Sequence, residues 1–288
     1  VVNTSATVPA AVDGLRGDGT PVTVHFSTAL DDAIWLVEVR PTGPATGPVP
    51  DAAVADVVAL PDQVRLSLLA PYPAGIARAR LWYARVAVEG GTLAYLNRVA
   101  RPIRYAYVPE VHPLSAYQTV FARHPGSAEM PSAGRPFTGD IVLDLVANGI
   151  ALAPITLHTG VSSPDAGEPP LPEPFSVPAA TARIVNTTRA AGGRVVAVGT
   201  TVTRALESAA DADGVVAPAS RWTELVLGSD RPARVVSGLV TGWHAPAASH
   251  LDLLRAVAGT ELVTTAYAAA LRERYRWHEF GDSCLLLP

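Results

Sequence analysis

The chain has 288 residues, of which 49% are hydrophobic and 17% are charged, a composition typical of a folded globular protein and not of a disordered one. The formal net charge of −4 gives no general attraction to nucleic acid, so any RNA contact needs a local arginine-rich surface, and no apolar run is long enough to span a membrane. The single Cys284 excludes internal disulfides and multi-cysteine zinc sites.

The segment from residue 13 to residue 100 has the pattern of a small antiparallel β-barrel or sandwich. Its short β-branched and alternating runs are joined by turns rich in proline and glycine, and no helix in it is long enough to cover a parallel sheet. The predicted strands are Thr20 to Phe26, Ala33 to Val39, Val64 to Ala70 and Ala79 to Val88. The preceding residues are typical of an internal strand and loop, and since Val1 is not an initiator methionine, we expect residues upstream of it to be missing.

Beyond Arg101, strand-like runs alternate with helical ones. This alternation is typical of an α/β sheet or barrel, in which the carboxyl ends of the strands carry the functional site. The segment from Val161 to Pro178 is a long proline-rich loop, either a binding loop or a disordered connector. The predicted helices are Asp140 to Gly149, Ala179 to Gly193, Thr200 to Ser208, Ser249 to Ala258 and Glu261 to Tyr275. The predicted strands are Ile150 to His158, Arg194 to Val198, Trp222 to Leu227, Ala233 to Thr241 and the C-terminal tail.

The stretch GGRVVAVGTTVTRALES, from Gly192 to Ser208, predicts a buried strand followed by a helix that begins after Gly199. Backbone N–H groups at such a junction point outward and favour anions. A phosphate-binding loop would need a lysine, and all 22 basic residues of this chain are arginines, so a nucleotide-triphosphate site is excluded. The junction by itself is either an ordinary β-α unit or part of a binding site.

Polar residues cluster at four predicted strand ends. In an α/β sheet these ends would converge on one rim, which is where ligands bind in such folds, although each histidine among them is equally compatible with a satisfied structural role. The four ends are His158 to Gly160, Gly199 to Thr201, Thr241 to His244 and Phe280 to Asp282.

The spacing of chemically active side chains narrows the reaction classes. His244 and His250 are too far apart for a helical metal pair, so we expect no metal. No G-x-S-x-G motif is present and Cys284 is not positioned with a base, which argues against nucleophilic hydrolysis. Glu207 is either an acid/base group or the ion-pair partner of Arg204 on the same helix.

Six blocks follow one another between residues 117 and 282: YQTVFARHPGSAEMPSAGRPFT, ITLHTG, GGRVVAVGTTVTRALES, WTELVL, VVSGLVTGWHAP and AYAAALRERYRWHEFGD. In order and spacing they resemble the S-adenosylmethionine:tRNA ribosyltransferase-isomerase family of queuosine biosynthesis, and VVNTSATVPA is similar to that family's N-terminal strand motif. The resemblance covers residues 101 to 288. It implies a barrel-like α/β domain, residues 1–12 and 101–288, with an inserted small antiparallel β-barrel domain, residues 13–100, and it implies that an upstream segment of the family is absent from this chain.

The resemblance also implies an activity. Family members transfer the ribosyl group of S-adenosylmethionine to the aminomethyl group of a deazaguanine in tRNA, isomerise it, and release adenine and methionine. This chemistry needs a base beside the carbon next to the sulfonium, a pocket for adenine and donors for the methionine carboxylate. We therefore expect a cytoplasmic enzyme that uses S-adenosylmethionine as substrate, needs no metal and has no membrane partner, with tRNA or another amine as acceptor.

Positions that match the family motifs are the candidate site residues. The resemblance implies that Gly199 to Thr201 hold the carboxylate or the ribose hydroxyls and that His158 and His244 transfer protons, with Glu207 as a third catalytic candidate. The candidate substrate-binding residues are Tyr117, Gln118, Thr119, Arg123, Gly134, Gly199, Thr200, Thr201, Arg204, Thr241, Tyr275 and Asp282.

The chain departs from the family at several polar positions. Thr4 to Ala6 stand where the family has an acidic residue and an arginine, Pro136 replaces a histidine, and of a histidine-rich loop only Glu173 is kept in an equivalent place. A glutamate after His244 is also lost. The motifs on the S-adenosylmethionine side are better preserved, which indicates a divergent branch with an altered acceptor. The alternative is a non-catalytic or repurposed S-adenosylmethionine-binding protein of the same fold.

Overall fold

The computed structural model describes residues 1–43, 47–75, 79–105, 108, 110–161, 170–245, 250–277 and 279–288. Two short strands, β1 (Val2–Asn3) and β2 (Ser5–Thr7), precede a closed antiparallel β-barrel. The barrel strands are β3 (Ala11–Arg16), β4 (Pro21–Ala29), β5 (Ile34–Pro41), β6 (Val57–Ala59), β7 (Arg65–Tyr72) and β8 (Leu81–Val86). Their order around the barrel is β3-β4-β5-β8-β7-β6.

The barrel is filled by the inward-facing side chains of its alternating strands. Val24 and Phe26 of β4 are fully buried, and the Phe26 ring meets Trp35 of β5 edge to face, with ring centroids 5.6 Å apart. Helix α1 (Thr92–Val99) follows the barrel and buries Leu96 in the same core. The sequence pattern does not indicate this helix, because eight residues are too few for a clear apolar period.

Helices and strands alternate through the rest of the chain, so the prediction of an α/β fold with a small antiparallel β-barrel is confirmed. The helices are α2 (Gly139–Ala147), α3 (Ala179–Ala190), α4 (Thr200–Ala209), α5 (His250–Ala258) and α6 (Thr260–Arg272). The strands are β9 (His124–Ser127), β10 (Pro154–Leu157), β11 (Glu173–Val177), β12 (Val196–Val198), β13 (Ala219–Thr223), β14 (Gly238–Gly242) and β15 (Ser283–Leu286). The division into two domains at residues 12 and 100 stays a prediction.

Seven of these strands lie side by side, with β1 at the centre. One sheet has the order β1-β10-β11-β13 and the other the order β12-β14-β15. Val1 joins them, because its amino group donates to the Val196 carbonyl at 2.7 Å and its carbonyl accepts from the Val198 amide at 2.9 Å. This hydrogen-bond pattern is parallel, as are the pairs β1/β10 and β12/β14. The carboxyl ends of β10, β1, β12 and β14 therefore share one edge.

Two predicted strands have clearly different bounds in the structure. The strand predicted from Trp222 to Leu227 lies at Ala219–Thr223, and the strand predicted from Ala233 begins only at Gly238. The second difference has a clear cause, since the amides of residues 234–236 donate to the Glu207 carboxylate and are not available for a sheet.

The predicted long loop from Val161 to Pro178 is only partly irregular. Residues 173–177 form β11, which pairs antiparallel with both β10 and β13, so the loop prediction is wrong for this part. Residues 162–169 lie outside the described residues. In the described part of the chain, no helix combines the length and apolar character needed to cross a membrane.

Candidate active site

A cavity of about 160 Å³ opens at the edge of the sheet where β12 and β14 end. Three of the four polar strand ends predicted to converge do line it: Thr159 and Gly160 after β10, residues 199–201 after β12, and Thr241 and Gly242 at the end of β14 with His244 beyond it. The other walls come from the segments 129–133, 170–173 and 225–227. The fourth strand end, residues 280–282, does not line the cavity.

The β12–α4 junction forms the floor of the cavity. Gly199 has a φ of +103°, and its amide donates to the Val240 carbonyl at 2.8 Å. The φ angle favours glycine, and a Cβ at this position would lie only 3.3 Å from the Ala133 side chain, a tight contact. Among the described residues no side chain caps α4, and the hydroxyls of Thr200 and Thr201 accompany its first-turn amides at the cavity. Such a helix N-terminus can hold an anionic group.

Arg204 of α4 lines the cavity and holds two of its walls together. Its guanidinium pairs with Glu173, while Nη2 donates to the Leu171 carbonyl at 3.1 Å and Nε donates to the Leu225 carbonyl at 3.1 Å. The predicted pairing of Arg204 with Glu207 is therefore wrong. The i, i+3 spacing on one helix is overruled because Arg204 is buried and faces the ends of β11 and β13.

Glu173 is a cavity-lining carboxyl group that the sequence did not single out as catalytic. Burial raises its pKa to about 7, even though Arg204 opposes the shift, and nearby Glu129 adds to the increase. Glu129 also lines the cavity and accepts a hydrogen bond from the Tyr105 hydroxyl. The cavity thus contains a carboxyl group that can gain or lose a proton near neutral pH.

His244 lies in the cavity wall and is buried. Its Nε2 is 3.1 Å from the Thr241 hydroxyl, and its ring stacks on His250 with centroids 4.4 Å apart. Its backbone amide donates to the Tyr267 hydroxyl at 3.2 Å. Thr241 and His244 thus line the same cavity as the β12–α4 junction, as the pattern of polar strand ends predicts.

His158 lies one residue before the cavity lining and is half-buried. Its Nδ1 is 2.7 Å from the Ser5 hydroxyl, which is itself 2.6 Å from the Ser127 hydroxyl. The ring packs so closely on Gly126 that a Cβ there would be 2.6 Å from Nδ1. Burial lowers the pKa of His158, and nearby His124 adds to this effect. The arrangement favours a neutral imidazole that ties β2, β9 and β10 together.

Glu207 lies outside the cavity lining, on the buried side of α4. Its carboxylate accepts the amides of Arg234, Val235 and Val236 at 2.8–3.0 Å, and Arg231 approaches it at 3.4 Å. A buried carboxyl group that accepts this many backbone amides is held in place and is not accessible to a substrate. The geometry therefore gives Glu207 a structural role, in contrast with the acid/base role expected from the sequence.

Five predicted binding residues lie in segments beside the cavity and not in its lining. The Gln118 side chain pairs with the backbone of Thr7 through its amide and carbonyl groups, and the Thr119 side chain packs against Gly134. These contacts fix the segments around residues 118 and 134. The segment around residue 134 directly follows residues 129–133, which form a wall of the cavity. The five residues are Tyr117, Gln118, Thr119, Arg123 and Gly134.

The remaining two predicted residues lie in the turn between α6 and β15. Tyr275 is exposed, and its ring contacts Trp243 with centroids 5.8 Å apart. Asp282 accepts the Arg276 amide at 2.7 Å. Neither side chain lines the cavity, but Trp243 immediately precedes His244, so this turn lies next to the cavity edge.

Glu279 was not indicated by any motif. It is buried, and among the described residues its Oε2 atom has no hydrogen-bond partner. Burial, with a contribution from Glu129, raises its pKa to about 8. Glu129 thus contributes to the raised pKa of both Glu173 and Glu279, and of these three residues Glu129 and Glu173 line the cavity.

The expectation that no metal is required stays a prediction. Within the described ranges, no group of three or more His, Cys, Asp or Glu side chains is arranged to hold a metal ion. Pro246, which matches a family motif, and most of the proline-rich loop lie outside the described residues.

Comparisons with known proteins identify chains that are similar to this one. The model of the family described as queuosine biosynthesis protein matches residues 1–286. An S-adenosylmethionine:tRNA ribosyltransferase-isomerase from Synechococcus elongatus is 34% identical, with 100% of this chain and 81% of that protein covered. One from Moorella thermoacetica is 35% identical, with 100% and 84% covered. The crystal structure of S-adenosylmethionine tRNA ribosyltransferase from Thermotoga maritima is 22% identical, has a TM-score of 0.47, and covers 99% of this chain and 81% of that chain.

Proposed function

Because this chain belongs to the family of queuosine biosynthesis proteins, we propose that it is an S-adenosylmethionine-dependent ribosyltransferase-isomerase. It transfers the ribosyl group of S-adenosylmethionine to an aminomethyl-deazaguanine in tRNA, or to a related amine, and isomerises it with release of adenine and methionine. The observation that carries this proposal is the cavity at the carboxyl ends of β12 and β14, where an uncapped helix N-terminus and a titratable carboxyl group meet.

In this proposal the donor binds at the β12–α4 junction. The first-turn amides of α4 take the methionine carboxylate, since they lie at the positive end of the helix dipole and no described side chain caps them. The hydroxyls of Thr200 and Thr201 bind the carboxylate or the ribose hydroxyls. Thr241 and His244 contact the donor from the end of β14, where both line the cavity.

Glu173 is the group proposed to take the proton from the carbon next to the sulfonium. A carboxyl group with a pKa of about 7 is partly ionised at neutral pH and is a stronger base than an ordinary glutamate. His244 is the second proposed proton-transfer group. His158 positions the β10 end through Ser5, and Glu207 holds the segment 234–236, so neither needs to touch the donor.

Two substitutions separate binding from chemistry. Thr200→Val removes a hydroxyl from the donor site, so we expect S-adenosylmethionine binding by calorimetry to weaken about 10-fold. Glu173→Gln keeps the shape of the side chain but removes the base, so we expect adenine release in the presence of acceptor tRNA to fall at least about 100-fold, with much smaller change in donor affinity. Far-ultraviolet circular dichroism checks that the Glu173→Gln protein is folded, because Glu173 also pairs with Arg204.

Two results would contradict the proposed chemistry. Unchanged adenine release by folded Glu173→Gln protein would remove Glu173 from the chemistry. If the parent protein binds S-adenosylmethionine but releases no adenine with tRNA or with small amines, the alternative of a non-catalytic binding protein is correct.

A further inference from the structure

The turn after α6 presents cationic and aromatic side chains to solvent. The helix ends at Arg272, and Arg274 then adopts a φ of +57°, which redirects the chain. Arg274 and Arg276 are exposed, and among the described residues neither guanidinium has a partner. Arg272 is different, because it pairs with Glu273 at 2.8 Å. The segment 274–277, with sequence RYRW, therefore carries two available positive charges.

The aromatic residues of this segment pack against a buried aromatic side chain. Tyr275, which is 42% exposed, and half-buried Trp277 both pack on buried Trp243, with ring centroids 5.8 Å and 6.3 Å apart. Trp277 also contacts Tyr267, with centroids 5.6 Å apart. Two aromatic rings are thus held partly open to solvent by a buried aromatic base, an arrangement that can accept stacked nucleobases.

Backbone hydrogen bonds fix the shape of the segment. The Tyr275 amide donates to the Ala270 carbonyl at 2.9 Å, and Asp282 accepts the Arg276 amide at 2.7 Å and returns a 2.9 Å bond from its own amide to the Arg276 carbonyl. Gly281 is required beside it, since a Cβ there would lie 2.5 Å from the Arg276 carbonyl oxygen. Because the segment is ordered before any partner arrives, binding would cost little conformational entropy.

The position of the segment relates it to the cavity. It precedes β15, whose first residue Ser283 pairs with Gly242, and Gly242 lines the cavity. Arg135 adds a further cation from the other side, where its guanidinium lies 5.3 Å from the Phe280 ring centroid and donates to the Gly281 carbonyl at 3.0 Å. A polynucleotide on this surface would therefore lie beside the entrance to the donor site.

We propose that the segment 274–277 is an RNA-docking surface, on which bases stack against Tyr275 and Trp277 while phosphates pair with Arg274 and Arg276. The alternation of arginine with exposed aromatic rings matches unstacked single-stranded or looped RNA, whose base faces are accessible. An acidic protein would use the arginines but would gain little from two exposed rings. The inference rests on the proposed function, for which it names the surface that receives the tRNA acceptor.

The test uses the full chain and a fluorescently labelled tRNA that carries the aminomethyl-deazaguanine, with binding followed by anisotropy over a series of salt concentrations. For Arg274→Ala/Arg276→Ala we expect Kd to rise about 10-fold, and the slope of log K against log salt to become shallower by about 1.4, since two phosphate contacts are lost. Tyr275→Ala should raise Kd by about 5-fold or more, whereas Tyr275→Phe, which keeps the ring, should bind like the parent.

A matched pair of exposed arginines provides the control. Arg183 lies on α3 and Arg194 precedes β12 at the edge opposite the cavity, and both are exposed. Arg183→Ala/Arg194→Ala lowers the net charge equally but should leave tRNA binding unchanged. The inference is overturned if the Arg274/Arg276 double variant binds tRNA with the Kd and salt slope of the parent, or if the control pair loses as much affinity.

Donor chemistry is measured separately so that the two proposals can fail independently. Calorimetry should show unchanged S-adenosylmethionine binding in the Arg274→Ala/Arg276→Ala protein. Arginine-dependent tRNA binding without adenine release would contradict the proposed function and support the docking surface. Adenine release with a small amine, by a protein that does not bind tRNA, would overturn the docking surface and leave the donor chemistry intact.

Discussion

The buried glutamates of this molecule have different surroundings. Glu207 accepts three backbone amides, and Arg231 lies 3.4 Å from its carboxylate. Glu279 has no partner for Oε2 among the described residues, and burial, with a contribution from Glu129, raises its pKa to about 8. Burial alone therefore does not identify a catalytic acid or base, because the contacts of each carboxyl group differ.

Glu279 should make the stability of the protein depend on pH. Its folded-state pKa of about 8 is above the ordinary value of 4.5, so its neutral form stabilises the fold fully below about pH 4.5, and this stabilisation is lost as the pH rises through about 8. We expect Glu279→Gln to unfold with a free energy that is higher than that of the parent at pH 8–9, by up to a few kcal/mol. Urea denaturation across this pH range measures the difference.

The exposed Glu89 supplies the control for this prediction, since Glu89→Gln should preserve the pH profile of the parent. A Glu279→Gln protein whose stability still falls with pH as steeply as that of the parent would show that another group is responsible. Glu173, with a pKa of about 7, contributes in the same direction and is expected to account for what remains of the slope.

At the scale of elements, the β12–α4 junction is the unit that determines the cavity. Gly199 combines a positive φ with a close approach to Ala133, and the helix that follows supplies both the amides proposed to bind the donor and Arg204. Any displacement of this junction would move the proposed donor-binding groups and the wall residues together. The junction should therefore be sensitive to a single added methyl group.

We expect Gly199→Ala to lower the free energy of unfolding by about 1–3 kcal/mol, because alanine is strained at a φ of +103° and its Cβ would crowd Ala133. S-adenosylmethionine affinity should fall as well. The matched control is Gly139→Ala in the first turn of α2, where φ is not positive and the added Cβ would meet no atom within 4 Å. Equal stability of the two variants in urea titrations would contradict this account.

Much of the architecture could be predicted from the sequence, because the positions of many strands and helices follow from local sequence patterns. Alternation of apolar residues located four barrel strands, and glycines marked the ends of several helices. The six ordered blocks predicted the family, and this prediction is confirmed. The start of β14 could not be predicted, since it depends on a carboxylate 27 or more residues away that captures the amides of residues 234–236.

The candidate site could be predicted only where it follows strand ends. Gly199 to Thr201 and Thr241 come together because parallel strands end at one edge. The roles of Glu173 and Glu279 could not be predicted, because their raised pKa values depend on burial and on the proximity of Glu129, which separate segments create. The assignment of catalytic roles to His158, His244 and Glu173 stays a prediction until the variants are measured.

At the scale of the whole molecule, the barrel and the α/β part share contacts that couple their stability. The hydrophobic core of the barrel includes Ala128 and Val161 from outside it. Ser27 of β4 is buried, accepts the Val161 amide at 3.0 Å, and lies so close to Gly160 that a Cβ there would be 2.6 Å from its hydroxyl. Gly160 and Val161 also line the cavity, so the outer face of the barrel supports the active-site wall.

Ser27→Ala should therefore destabilise both parts. Loss of the acceptor leaves the Val161 amide buried without a partner, at a cost of about 1–3 kcal/mol. Hydrogen exchange followed by mass spectrometry should show reduced protection in peptides from β4 and in peptides from β10, whereas Ser67→Ala on β7 should leave β10 unaffected. Reduced protection confined to the barrel would mean that the two parts unfold independently.

The chain enters and leaves the barrel at one place. Ala10 and Ala11 donate their amides to the Arg101 carbonyl at 3.0 and 2.9 Å, and Arg101 returns a 3.0 Å bond to Ala11. These hydrogen bonds hold the first and the last residues of the barrel segment side by side. Insertions or deletions in the distal barrel turns, such as the one between β5 and β6, would change the size of the barrel without altering the spacing of the strands that carry the cavity. The distal turns of the barrel are consequently a part of this molecule that can vary in length while the strands that line the cavity stay in place.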